Sequence, residues 1–333
     1  MNSLIRRSLV ALSAVSLAFT AAACSPEATG RASGGSASGS GPITIKHDLG
    51  ETTLKEKPKN IVSTSIVLTG SLLAIEAPVK GSGASAPGMP GFDEQGFFSY
   101  WSPVAKERGV KALYAKNQLD LEAITAAKPD LIIMSSSGGD STKDNYEQLK
   151  AIAPTVSVNY LTQSWQDVTK QLGQATGLST KADEIVAGYD KEVAELKKKT
   201  AAPTEPVQAI VFNGENGSAF ALPDGPHDKV FSAMGFTLAP VDTTKAKNPG
   251  GKNRKDVAFL SAENSVSALT SKNLLLIDGT EDTVAKLKVA PGYATVPAAS
   301  TEGKIVPLQP SSFKMDYYSA LEMARTLAKA FPA

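Results

Sequence analysis

The chain has 333 residues, 42% of them apolar and 20% charged, and carries a formal net charge of +1. This balance offers no bulk attraction to nucleic acid or to anionic lipid, and the length suits two α/β lobes. With one cysteine and two histidines, His47 and His227, a disulfide framework and a Cys/His zinc site are excluded.

Arg6 and Arg7 form a basic n-region, Ser8 to Phe19 is a short apolar stretch, and Ala21-Ala22-Ala23 supplies small residues before Cys24. The stretch is too short to span a bilayer, which needs roughly 20 apolar residues. Ending on Ala-Ala-Ala-Cys, this signal peptide resembles a bacterial lipobox, whose cysteine receives a diacylglyceryl group after export. Ala21-x-Ala23 also reads as a plain cleavage site. A lone thiol in an exported protein pairs only between molecules, and a thioether-linked lipid removes that hazard. Two acyl chains hold a protein stably on a membrane where one does not. Residues 1–23 are therefore expected to be signal peptide, and 24–42 a Gly/Ser-rich, lipid-anchored tether. Removing 1–23, which holds Arg6 and Arg7 but no acid, turns the formal charge from +1 to −1.

Beyond the tether, Ile43 to Leu54 reads as a hairpin turning at Gly50-Glu51, and Ile61-Val62-Ser63 as a buried strand. Leu68, Leu72, Leu73 and Ile75 recur at helical spacing, and Val79 to Ser85 is a short strand entering a Gly/Pro-rich loop at 87–96. Leu119 to Lys128 is a helix, Leu131 to Met134 a strand, Ser135 to Asp140 a Gly-rich loop and Tyr146 to Ile152 a helix. Strand, loop, helix is the rhythm of a doubly wound parallel sheet. Pro154 to Val158 closes this first lobe, expected over 43–160.

Trp165 to Lys199 is mostly helical with a break at Gly177, and Thr180-Lys181-Ala182-Asp183 suggests a capping-box start. Residues 161–200 thus read as a connecting helical spine. The α/β pattern restarts over 201–333: strands at Val207 to Phe212, Leu274 to Ile277 and Lys304 to Val306, helices at Val230 to Phe236 and Tyr317 to Phe331, and a basic loop from Lys245 to Lys255.

No enzyme constellation emerges. There is no G-x-S-x-G elbow, P-loop or H-E-x-x-H motif, and His227 is the one candidate base with access to a cleft. The expectation is a binding protein, not an enzyme, with a ligand outside the carboxyl ends of the strands.

The segments LTGSLLAIEAP, DEQGFFSYWSPVAKERGVKALY, AKPDLIIMSSSGGDS, SWQDVTKQLGQATG and SFKMDYYSA together resemble the ferric-enterobactin binding proteins of iron ABC importers. The resemblance implies a class III periplasmic binding fold, two Rossmann-like lobes joined by one long helix. It also implies delivery of a ferric siderophore to an ABC permease, and with the lipobox-like signal the expectation is a monomer without cofactor, lipid-anchored to the outer face of the cytoplasmic membrane. A ferric tris-catecholate is a trianion with aromatic faces, so its site needs cations and flat apolar or cation–π contacts. Carried over by position, Arg254 and Lys314 match basic pocket positions, and Trp101, Ser65 and Tyr317 are further candidate contacts, with packing as the competing role for Trp101 and Tyr317. His227 is a secondary candidate as an iron ligand, expected partly exposed, and Asp144 and Glu147 are candidate permease contacts. The chain departs from the family pattern at three places: Lys314 and Pro90 stand where the family has arginine, and Ala221 where it has tryptophan. Haem or a hydroxamate chelate is the rival ligand, and a secreted enzyme the rival of another class.

Overall fold

The computed structural model describes residues 41–247 and 256–333. Cys24 and Arg254 lie outside the described residues. The hairpin is present, with β1 at Ile43–His47 and β2 at Gly50–Leu54. Its turn is Asp48-Leu49, not Gly50-Glu51, because Gly50 already pairs with His47.

The first lobe is a five-stranded, all-parallel sheet. Its strands are β3 (Ile61–Ser63), β4 (Val79–Gly83), β5 (Lys111–Tyr114), β6 (Leu131–Ser135) and β7 (Thr155–Val158), in the spatial order β5-β4-β3-β6-β7. The continuous apolar runs follow from burial on both faces. Ile61, Leu131 and Ile133 point into one core, while Val62, Ile132 and Met134 point into another. Four helices serve this lobe: α1 (Ile66–Ala74), α2 (Ser102–Glu107), α3 (Leu121–Ala126) and α4 (Tyr146–Ile152). All nine residues of α1 are buried. Ser65 caps it, accepting the Leu68 N–H.

The connecting segment holds two consecutive helices, and the second is the long rod between the lobes. Helix α5 (Trp165–Thr176) ends at Gly177, whose left-handed φ of 70° lets the Leu178 N–H bond back to Gly173 O. Helix α6 (Ser179–Lys198) starts immediately, one residue before the expected box, and has no side-chain cap. Its 20 residues span about 30 Å. Ala182 and Ile185 pack in the first lobe's core, and Tyr189, Val193 and Leu196 in the second's. One amphipathic rod is thus shared by two cores.

The second lobe's sheet has the order β10-β9-β8-β11-β12. Its strands are β8 (Gln208–Phe212), β9 (Ser218–Ala221), β10 (Val257–Leu260), β11 (Asn273–Ile277) and β12 (Lys304–Pro307). β8, β11 and β12 run parallel, and β9 and β10 add an antiparallel edge. Around them lie α7 (Pro226–Ala233), α8 (Ala262–Ala268), α9 (Glu281–Val289) and α10 (Tyr317–Ala330). No helix among the described residues is long and apolar enough to cross a membrane.

Candidate ligand-binding cleft

In the first lobe the chain order reverses between β3 and β6, the adjacent central strands. A crevice opens at such a switch point, outside the carboxyl ends of the strands. Here those ends lead into Ser65, capping α1, and into the 136–142 loop that carries Asp140. From the second lobe, the end of β11 supplies Asp278, and the segment after β12 supplies Pro310, Ser311 and Lys314. Together they enclose a cavity of about 210 Å³ with Phe92, Phe98 and Asp140 on the opposite wall. A smaller recess of about 40 Å³ continues it, sharing Val67 and Lys314 and bordered by Tyr160, Trp165 and Phe313.

The second lobe's wall is a strained loop. Asp278, Gln309 and Ser311 all have positive φ, at 56°, 73° and 69°, a conformation that non-glycine residues adopt at a cost. Tertiary bonds hold it. The Asp278 carboxylate accepts the Phe313 N–H at 2.7 Å, and the Ser312 hydroxyl accepts the Asp278 N–H at 2.8 Å. Burial pushes the Asp278 carboxyl above its ordinary range, while the Phe313 N–H and the nearby Lys314 charge pull the other way. The Lys314 ammonium sits 5.3 Å from the Phe313 ring centroid.

The lobes touch directly beside the cavity. The Tyr100 hydroxyl donates to Pro310 O at 2.6 Å, and the Ser311 hydroxyl to Gly91 O at 2.9 Å. Asp316 caps α10, accepting the Ser319 N–H at 2.8 Å, and is buried against Gly70 of α1. Burial raises its carboxyl to about 6, against the opposing bonds from Ser319 and the Tyr318 N–H. A carboxyl raised on folding binds its proton more tightly in the native state. Its contribution to stability is complete below the unfolded value near 3.8 and is lost as pH rises through about 6. We expect wild type to lose on the order of 2–3 kcal/mol relative to Asp316→Asn between pH 4 and pH 7. Denaturant titrations of both proteins across that range check this. A stability difference that stays flat with pH contradicts it.

Of the expected site residues, Lys314 faces the cavity. Ser65 does not. It is fully buried, and its hydroxyl donates to Asp140 at 2.5 Å. Trp101, expected in the cleft lining, is a core residue instead, fully buried beside Phe97 and Phe98 with centroid distances of 5.1 and 6.0 Å. Tyr317 is half-buried at the start of α10 against Trp165 and Tyr318, and borders neither cavity. His227, expected partly exposed, is only 1% exposed. It stacks on Phe313 with centroids 5.6 Å apart, and its Nε2 donates to Ser312 O at 3.2 Å, so it buttresses the loop from behind. Pro90 lines the cavity, whereas Ala221 is buried in β9 opposite Val257. Asp144 and Glu147 are exposed on the first lobe, Glu147 3.9 Å from Lys150. Among the described residues no group of three or more His, Cys, Asp or Glu side chains is placed to hold a metal ion.

Sequence reasoning put the Gly-rich loop ending at Asp140 and the loop holding Phe92 and Phe98 at the carboxyl ends of strands, but singled out none of Asp140, Asp278, Phe92 and Phe98 as a cavity residue. The available signal for the acids was position, since each stands in the loop after a central strand of its sheet.

Residues 98–311 match the family described as periplasmic binding protein. The chain is 38% identical over 291 residues to the ferric enterobactin-binding periplasmic protein FepB of Escherichia coli O6:H1, covering 87% of this chain and 91% of that one. It is 33% identical to the probable siderophore-binding lipoprotein YfiY of Bacillus subtilis over about half of each chain, 52% and 51%. The crystal structure of holo-ViuP superposes with a TM-score of 0.79 at 29% identity, covering 88% of this chain and 96% of that one.

Proposed function

The chain belongs to the periplasmic binding protein family, and on that premise we propose that it captures a ferric siderophore of catecholate type outside the cytoplasmic membrane and passes it to an ABC permease. The observation that carries this reading is the 38% identity to a ferric enterobactin-binding protein across nearly the whole of both chains. The cleft supports it. The half-buried Phe92, backed by the buried Phe98, offers flat apolar contact to catechol rings, and Lys314 offers an ammonium to catecholate oxygens. Iron is cargo held by its chelator, and the protein does no chemistry of its own. Arg254 would add a second cation, and the exposed Asp144 and Glu147 suit contact with basic permease residues. Two carboxylates, Asp140 and Asp278, also line the cavity, which favours a chelate less charged than a tris-catecholate as the second reading.

Cells deprived of the chain should take up far less iron offered as a ferric catecholate, with uptake restored by the wild-type gene. Unchanged uptake of radioactive iron from that complex would sink the assignment. Attachment is a separate expectation. The native N-terminus should begin at Cys24 and carry a diacylglyceryl thioether, and a mass spectrum showing an unmodified thiol there would refute the anchor.

A further inference from the structure

Asp140 is 7% exposed yet borders the cavity, and every partner it has in hand is a donor. Its Oδ2 accepts the Ser65 hydroxyl at 2.5 Å and the Val67 N–H at 3.3 Å, and its Oδ1 accepts the Tyr160 hydroxyl at 2.6 Å. Val67 is the second residue of α1, and Ile66 and Val67 themselves line the cavity. The end of a nine-residue helix that would attract an anion from the cleft is therefore already filled by one of the protein's own carboxylates. Three separate elements fix it there: the cap of α1, the loop after β6 and the segment leading to α5. The adjoining Gly138 has a φ of 80°, and a Cβ at that position would overlap the Tyr160 hydroxyl. The loop is thus shaped so that Tyr160 reaches the carboxylate.

We propose that Asp140 is a specificity-determining residue, which blocks the α1 terminus as an anion subsite and sets an upper limit on the negative charge of the chelate that the cleft accepts. The anionic side of a ligand is then directed across the cavity to Lys314, and the first lobe's wall receives its neutral or apolar side. This rests on the reading of the cleft as a ferric-chelate site.

The experiment compares wild type, Asp140→Asn and Asp140→Glu with two probes, the trianionic ferric complex of enterobactin and a neutral ferric trishydroxamate, at low and high salt. Removing one negative charge from the cavity wall should tighten binding of the trianion about tenfold at low salt, and the gain should shrink at high salt. The neutral complex should change by less than about twofold. Asp140→Glu keeps the charge and should not reproduce the selective tightening of the trianion, which separates charge from geometry. Circular dichroism melts of the variants establish that each is folded. A folded Asp140→Asn variant with unchanged or weaker trianion binding, or with equal tightening of both probes, overturns the assignment of Asp140 alone. Failure of wild type to bind either chelate overturns the cleft reading and this assignment with it.

Discussion

Lys314→Gln is expected to weaken binding of a ferric tris-catecholate by about 10- to 100-fold. Among the described residues lining the main cavity, Lys314 is the one that carries a positive charge. A hydrogen bond to a charged group is worth about 1.5–3 kcal/mol, and every 1.4 kcal/mol is tenfold in affinity. Lysine supplies a point charge without arginine's planar fork, so most of its contribution is Coulombic and screened by salt. The loss on substitution should accordingly shrink as ionic strength rises. A neutral ferric hydroxamate should be nearly indifferent to the change. Isothermal titration of both complexes against wild type and variant checks this. Equal losses for the two would mean that Lys314 supports the loop rather than meeting the charge. Adding Arg254→Gln should deepen the loss for the trianion.

The second large effect is on the joint between the lobes. Gly70 lies inside α1, where glycine is a poor helix former, so packing must justify it. A Cβ there would overlap the Asp316 carboxylate, standing 2.8 Å from its Cγ and 2.9 Å from Trp101 Cδ1. Neither neighbour yields easily. Asp316 is buried and tied to Ser319 as the cap of α10, and Trp101 is fully buried. Helix propensity alone predicts that Gly70→Ala stabilises, by up to about 1 kcal/mol. Overpacking a fixed core costs about 1–3 kcal/mol, and here it also strikes a carboxylate with no room to retreat. We expect a net loss of about 1–3 kcal/mol, read as a lower denaturation midpoint, together with weakened ligand binding as α10 and the Lys314 loop shift. A variant as stable as wild type would show that the joint can relax.

The parts of the fold legible in the sequence are those whose burial is complete. β3, β6, β8 and β11 announce themselves as unbroken apolar runs because both faces of their sheets are covered. The α5–α6 junction is legible because Gly177 is required to adopt a left-handed turn. β5, β9 and β10 were not: Lys-Ala-Leu-Tyr in β5 is only partly buried, and the Ser-Ala-Phe-Ala of β9 gives no clear pattern. α9 was overlooked although its ends are well marked, with Thr280 capping, Glu281 and Asp282 in the first turn and Lys286 and Lys288 in the last.

The site divides in the same way. Lys314 was singled out through the resemblance around SFKMDYY, and it lines the cavity. The inward turn of Ser65 was not, because its partner Asp140 is 75 residues away in the chain. Trp101 and His227 looked available because an indole or imidazole in a loop-rich stretch has no local sign of burial. Each is sequestered by residues that the fold brings from elsewhere. Tertiary partners, not local pattern, decide which polar groups face a ligand.

The central claim is tested most directly by titrating the mature chain with ferric enterobactin, a ferric hydroxamate and haemin, following intrinsic fluorescence. Trp165 borders the cleft recess and lies close enough to report occupancy. We expect saturable, submicromolar quenching by the ferric catecholate at one complex per chain, with the other two much weaker. Binding of haemin or the hydroxamate alone, or of none of the three, would contradict it.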